Sequence, residues 1–147
     1  MHFEQDKMKQ FKYGFTISYY HIGSYSKESP FLGLEQSINY SVFEKIQIGL
    51  GSGINVYPST FTFPIISSIT YSLPISSNWN CSILQSYGRN MKFKKNGFKS
   101  NRYFGQLSFK HPIKKNIQIS PSIGYLYNWD KWGGQSLSFT IGIGLHI

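Results

Sequence analysis

Apolar and polar residues alternate through the last dozen positions of the chain. Leu137, Phe139, Ile141, Ile143, Leu145 and Ile147 share one parity, and Ser136, Ser138, Thr140, Gly142, Gly144 and His146 share the other. A period of two is that of a β-strand, whose successive side chains point to opposite faces. The same pattern runs through 46–57, with Ile46, Ile48, Leu50, Ile54 and Val56 against Gln47, Gly49, Gly51, Gly53 and Asn55. It returns in 117–129, where Ile117, Ile119, Ile123, Tyr125, Tyr127 and Trp129 oppose Gln118, Ser120, Ser122, Gly124 and Asn128. Weaker versions occupy 11–22, 32–42, 63–73, 79–89 and 102–111. Eight strands are expected.

The connections alternate in length. Phe43-Glu44-Lys45, Pro74 to Ser77 and Pro112 to Lys115 read as tight turns, while Gly23 to Pro30, Pro58 to Phe61, Asn90 to Ser100 and Asp130 to Gly134 read as longer links. Short turns at one end and longer loops at the other are the pattern of an up-and-down barrel in an outer membrane. The chain therefore predicts an all-β, eight-stranded antiparallel up-and-down transmembrane β-barrel. It would fill 1–147 as a single domain, with 1–10 as an N-terminal periplasmic segment. Pro121 falls inside a strand, where a missing N–H calls for a bulge or an edge.

A soluble β-sandwich also buries one face of each strand. The polar face here is rich in Gly, Ser, Thr, Asn and Gln and poor in Lys and Glu, which suits a narrow lumen better than a watered surface. Strands of about 10–12 residues match a tilted bilayer crossing. Aromatics gather near strand ends (Tyr13, Phe15, Tyr57, Phe61, Phe63, Trp79, Tyr103, Tyr125, Tyr127, Trp129), as interfacial girdles do. The composition agrees: aromatics are 18% of 147 residues, and no apolar run approaches the length of a membrane helix. The opening Met1 to Lys7 is charged and has no apolar stretch of the signal-peptide kind, so export would require a leader already removed. The expected location is the outer membrane of a Gram-negative bacterium.

The formal charge of +9 calls for an anionic partner. Six of the cations, Arg89, Lys92, Lys94, Lys95, Lys99 and Arg102, lie in or beside one long link. On an outer surface they would meet lipopolysaccharide and other outer-membrane lipid, each cation near anionic lipid contributing about 1 kcal/mol. Phe93 and Phe98 among them suit nucleic acid too, but a membrane barrel favours lipid phosphate over nucleic acid. Inside the barrel, Glu35, Arg102 and Lys110 share the inward parity. An ion pair of Glu35 with one of the two cations is expected there, as a structural plug. His2, His111, His146 and Cys81 have no metal-ligand spacing, so neither a metal nor a cofactor is expected. Oligomeric state is not legible.

The first hairpin carries the candidate chemistry: His21, Gly23, Ser24, Pro30, Gly33, Leu34 and Glu35. Its spacing resembles the signature of the lipid A 3-O-deacylases (the PagL family), related to acyloxyacyl hydrolase-like barrels. That signature runs His-x-Ser-Asn, a short loop, then Pro, Gly, an aliphatic residue and an acid or amide. Ser136 to Phe139 followed by Gly142 to Leu145 looks like the strand that precedes it. In the family the signature closes the chain; here it opens it, so the likeness implies a circular permutation. The resemblance implies ester hydrolysis of an acyl chain by a serine nucleophile, a histidine base and an orienting carboxylate. His21 would be the base, Glu35 the orienting acid and Ser24 the nucleophile. The family serine position is Gly23, so Ser24 needs a local bulge to reach His21. Strand parity sets His21 toward lipid and Glu35 toward the lumen. The competing reading is a non-catalytic barrel (an anchor, adhesin or accessory subunit) acting through its cationic extracellular loops.

Overall fold

The computed structural model describes residues 11–21, 32–57, 61–91, 100–115, 117–131 and 133–147, with the backbone alone for 18–21. Eight strands follow one another: β1 (Phe11–His21), β2 (Leu32–Phe43), β3 (Ile46–Val56), β4 (Phe61–Ser76), β5 (Trp79–Met91), β6 (Ser100–Lys114), β7 (Ile117–Asp130) and β8 (Gln135–His146). Each pairs antiparallel with the next, and β8 pairs with β1 to close the barrel. The seam is extended by reciprocal backbone bonds between Tyr13 and Ile147, with N···O distances of 3.2 and 3.0 Å.

The register fixes the shape. Stepping from partner to partner, Phe11 leads to Tyr40, Ile48, Ile69, Gln85, Gly105, Tyr125 and Phe139 and regains β1 at His21. The circuit is thus offset by the ten residues from Phe11 to His21. With strands about 4.8 Å apart and a rise of about 3.4 Å per residue, that offset tilts the strands by roughly 40° and gives a radius of about 8 Å. Ten residues at this tilt cover about 25 Å, the height of the apolar band of an outer-membrane barrel.

Polarity is inverted relative to a water-soluble domain. Among the described residues only Ile66, Phe104 and Leu126 are buried hydrophobics, whereas fifteen polar or charged residues are buried. Outside, Leu50 is 71% exposed and Ile123, Ile141 and Ile143 are between 57% and 60% exposed, each at the middle or lower part of its strand. Such a face is stable only against hydrocarbon, which excludes the sandwich.

The short ends share one construction. Register shifts fall between Ser41 and Phe43, between Pro74 and Ser76, and between Pro112 and Lys114. Each bulge is followed by a two-residue connection. No non-glycine residue among those described has positive φ, so Glu44-Lys45 and Ser77-Asn78 are not the primed turns that usually join twisted strands. The added twist of the bulge takes over that role. Pro74 and Pro112, read from sequence as the start of turns, therefore sit inside β4 and β6, paired with Asn80 and Gln118. At the opposite end Gly133 adopts φ +87, and Asp130 caps the β7–β8 link by accepting the Gly134 N–H at 3.0 Å.

Pro121 needs neither bulge nor edge. It keeps its pairing with Ile143 in β8, while the β6–β7 ladder skips from Ser108↔Ser122 to His111↔Ile119 without a change of register. Pro64 does the same, keeping Asn90 while the β3–β4 ladder skips from Ser52↔Ile65 to Asn55↔Thr62. A closed barrel gives every strand two neighbours, so one interrupted ladder is tolerated.

Because the outer band is lipid-facing, Ile123→Arg should cost about 2–4 kcal/mol in reversible unfolding from phospholipid vesicles. Ile113→Arg, at the end of β6, should cost about 0–1 kcal/mol in the same assay. Equal costs at both positions would contradict the assigned depth.

Candidate functional site

The lumen is filled by layers of side chains. At its centre Leu126 and Phe104 are buried and Leu84 packs against them. Ile66 projects between Gly51 and Gly88, where added Cβ atoms would strike it. Toward the long-loop end, Arg102 is fully buried and its Nη1 lies 2.6 Å from Oε1 of Glu35. Its guanidinium carbon stands 5.6 Å from the Phe104 ring centroid. β2 and β6 are four strands apart in a ring of eight, so this ion pair crosses the lumen from wall to wall. An amide chain continues the polar layer. Asn90 Nδ2 donates to Ser100 Oγ at 2.9 Å and to Asn128 Oδ1 at 3.0 Å, and Asn128 Nδ2 donates to Ser136 Oγ at 3.4 Å. At the opposite end, His146 Nε2 and Ser120 Oγ are 2.9 Å apart. Lys110, the other inward cation, stands with Lys12 and His146 at that end, away from Glu35.

The residues singled out in the first hairpin are only partly brought together. His21 ends β1, opposite Phe139 of β8. Gly23, Ser24 and Pro30 lie outside the described residues. Glu35 stands opposite Thr16, within a register that runs unbroken from Phe11↔Tyr40 to Tyr19↔Leu32. No bulge turns it outward. Five residues separate Thr16 from His21, roughly 17 Å along the strand. A glutamate side chain does not span that gap, and this one is held by Arg102. The structure therefore unites Glu35 with Arg102 and keeps it from His21, against the role of orienting acid implied by the resemblance.

The cationic group is likewise divided. Arg89 is exposed on the outer face of β5. Lys92, Lys94, Lys95 and Lys99 lie outside the described residues. Arg102 faces the lumen, so it offers nothing to lipid phosphate: its parity follows Phe104, not the loop beside it. One feature went unread in the sequence. Gly105 is on the outward parity of β6, and the Tyr125 ring lies over it, so that a Cβ at Gly105 would fall 2.6 Å from Tyr125 Cε1. An outward glycine between neighbouring strands rich in tyrosine was its signal.

No family model matches the chain, and no curated protein sequence matches it. Solved structures do. Neisserial surface protein A aligns over 93% of this chain and 96% of its own, with 12% identity and a TM-score of 0.65. The N-terminal β-barrel domain of Pseudomonas aeruginosa OprF aligns over the same shares, with 9% identity and a TM-score of 0.63. A de novo designed transmembrane β-barrel aligns over 95% of this chain and 100% of its own, with 12% identity and a TM-score of 0.51. The fold is that of an outer-membrane β-barrel. At these identities the likeness extends to the fold and not to an activity.

Removing one member of the lumen pair leaves the other buried and uncompensated. Arg102→Ala should therefore cost about 3–5 kcal/mol in guanidinium unfolding of the refolded barrel. Arg102→Met combined with Glu35→Gln should cost clearly less than the sum of the single changes. Additive losses would mean that the two side chains are not coupled.

Proposed function

We propose that this chain is a non-catalytic outer-membrane barrel that works through its extracellular rim, where Arg89, Lys92, Lys94, Lys95 and Lys99 engage lipopolysaccharide phosphate. The observation that carries this reading is the Glu35–Arg102 pair, because it commits to the lumen the one carboxylate of the hydrolytic set. Gly23 in place of the family serine supports it. So does the narrow bore. An eight-stranded barrel is filled by its own side chains and leaves no general diffusion pore, which turns attention to the loops. With each cation near anionic lipid contributing about 1 kcal/mol, replacing Lys92, Lys94, Lys95 and Lys99 together by Gln should weaken lipopolysaccharide binding by well over tenfold. Titration of the refolded barrel in neutral detergent measures it. Unchanged affinity would sink the reading.

A second reading is ester hydrolysis of lipid A, with His21 as base and Ser24 as nucleophile. It is favoured by the place of His21, opposite a residue, Phe139, that lines an apolar groove on the lipid-facing side. Mass spectrometry of lipid A after incubation with the barrel separates the two. The non-catalytic reading expects an unchanged acyl pattern. Loss of one acyl chain, abolished by His21→Ala and by Ser24→Ala, would replace it with the hydrolytic one.

A further inference from the structure

The outer wall made by β5 to β8 is ordered in rows, because the four strands pair without register shifts over their upper halves. The row nearest the long loops is Arg89, Asn101, Trp129 and Gln135. Two residues lower on every strand comes Tyr87, Tyr103, Tyr127 and Leu137. Two lower again is Gln85, Gly105, Tyr125 and Phe139, and then Ile83, Leu107, Ile123 and Ile141. Ring contacts join the upper rows. Tyr127 stacks on Trp129 at 5.3 Å and 26°, and Tyr87 approaches Trp129 at 6.0 Å. The lower two rows enclose a groove of about 570 Å³, open to the lipid side, one flank of which is the Tyr125 ring where it lies over Gly105. Because the strands tilt by roughly 40°, each row climbs about 3 Å per strand from β5 to β8, so Gln85 lies about 10 Å deeper in the bilayer than Arg89, Gly105 about 7 Å deeper, and Phe139 close to its level.

We propose that this wall is a docking site for one lipid A molecule of the outer leaflet. Arg89 and Asn101 would take a phosphate, Tyr87 and Tyr103 would lie beside the sugar and ester region just below it, and one acyl chain would fill the groove beside the Tyr125 ring. The site rests on the lipid-engaging reading above and adds a defined place to it. On β5 and β6 the descent from Arg89 through Tyr87 and Tyr103 to the apolar groove follows the order of one such amphiphile. Arg89 is available for it. Among the described residues no carboxylate faces outward on this wall: Glu35 and Asp130 point into the lumen, and Glu44 is at the far end. Gln85 adds specificity. Its exposed amide has no hydrogen-bond partner among the described residues and sits in hydrocarbon at the groove, where a plain acyl chain offers nothing. An acyl chain bearing a hydroxyl or an ester branch near its upper end supplies an oxygen at that depth. A second copy of the chain fits less well, since a two-fold axis along this wall would bring Arg89 of both copies to the same height at one seam.

Native mass spectrometry of the full chain, released from neutral detergent doped with purified lipid A or with phosphatidylglycerol, tests the site. The wild-type barrel should retain one lipid A in preference to phosphatidylglycerol. Arg89→Gln and Gly105→Leu should each cut that retention by about fivefold or more, and Gln85→Leu should erase the preference between the two lipids. Heat-modifiable migration reports folding for each variant. If the leucine, which collides with Tyr125, prevents folding, Arg89→Gln and Gln85→Leu decide the matter alone. Retention unchanged in Arg89→Gln and Gln85→Leu but lost when the four loop lysines become glutamine would overturn the wall site and leave rim binding standing. No retention by the wild type, together with no titration signal, would remove both. A dimer that survives release and carries no lipid would overturn the site in favour of a second copy.

Discussion

Inside hydrocarbon every backbone N–H and C=O must find its partner within the protein, and a sheet meets that demand only by closing on itself. The β1–β8 seam is where this chain does so, and most of its other features follow from the closure. Once the ring is shut, strand parity has a fixed meaning, with one set of side chains in lipid and the other packed in a bore about 8 Å in radius. The small residues of the inner face keep that bore passable for the chain's own larger side chains. The tolerance for Pro64 and Pro121 has the same origin, because each keeps a complete ladder on one side.

Much of this architecture was legible in the sequence, since period-two alternation survives even where the apolar positions are diluted by Ser and Tyr. Eight segments, their order and the alternation of short and long links all stand within a few residues of where they were expected. What the pattern could not deliver is whatever depends on the third dimension of the sheet. Pro74 and Pro112 look like strand terminators one residue at a time, yet a bulge beside each lets the strand continue. The inward parity of Glu35 and Arg102 was readable, but the choice of Arg102 over Lys110 depends on the ten-residue offset. That offset brings one end of β6 level with Glu35 and carries the other toward His146.

The candidate chemistry divides along the same boundary. Local spacing groups His21 with Glu35 and groups Arg102 with the loop lysines. The structure instead sets Glu35 and Arg102 together in the lumen, since strand parity and register, not local spacing, decide which side chains meet. A motif on a strand is therefore a weaker guide than the same spacing on a helix, where three or four residues return to one face. The outer wall of β5 to β8 shows the reverse case. Arg89, Tyr103 and Phe139 are far apart in the chain and share no motif, yet the unbroken register arranges them on one surface.

The ion pair across the lumen also bears on how the barrel comes together. In an open or half-wound sheet, Glu35 and Arg102 sit on strands whose inner faces do not look at each other, and both keep their water. Only as the sheet curls shut do the opposite walls approach, and both charges lose solvent at the stage when each gains the other. Neutralisation is thus tied to the final curvature and not to any single hairpin. A partly wound sheet gains little from it, and the closed ring gains all of it at once. Wall-to-wall charge matching thus rewards the closed ring and none of its hairpins.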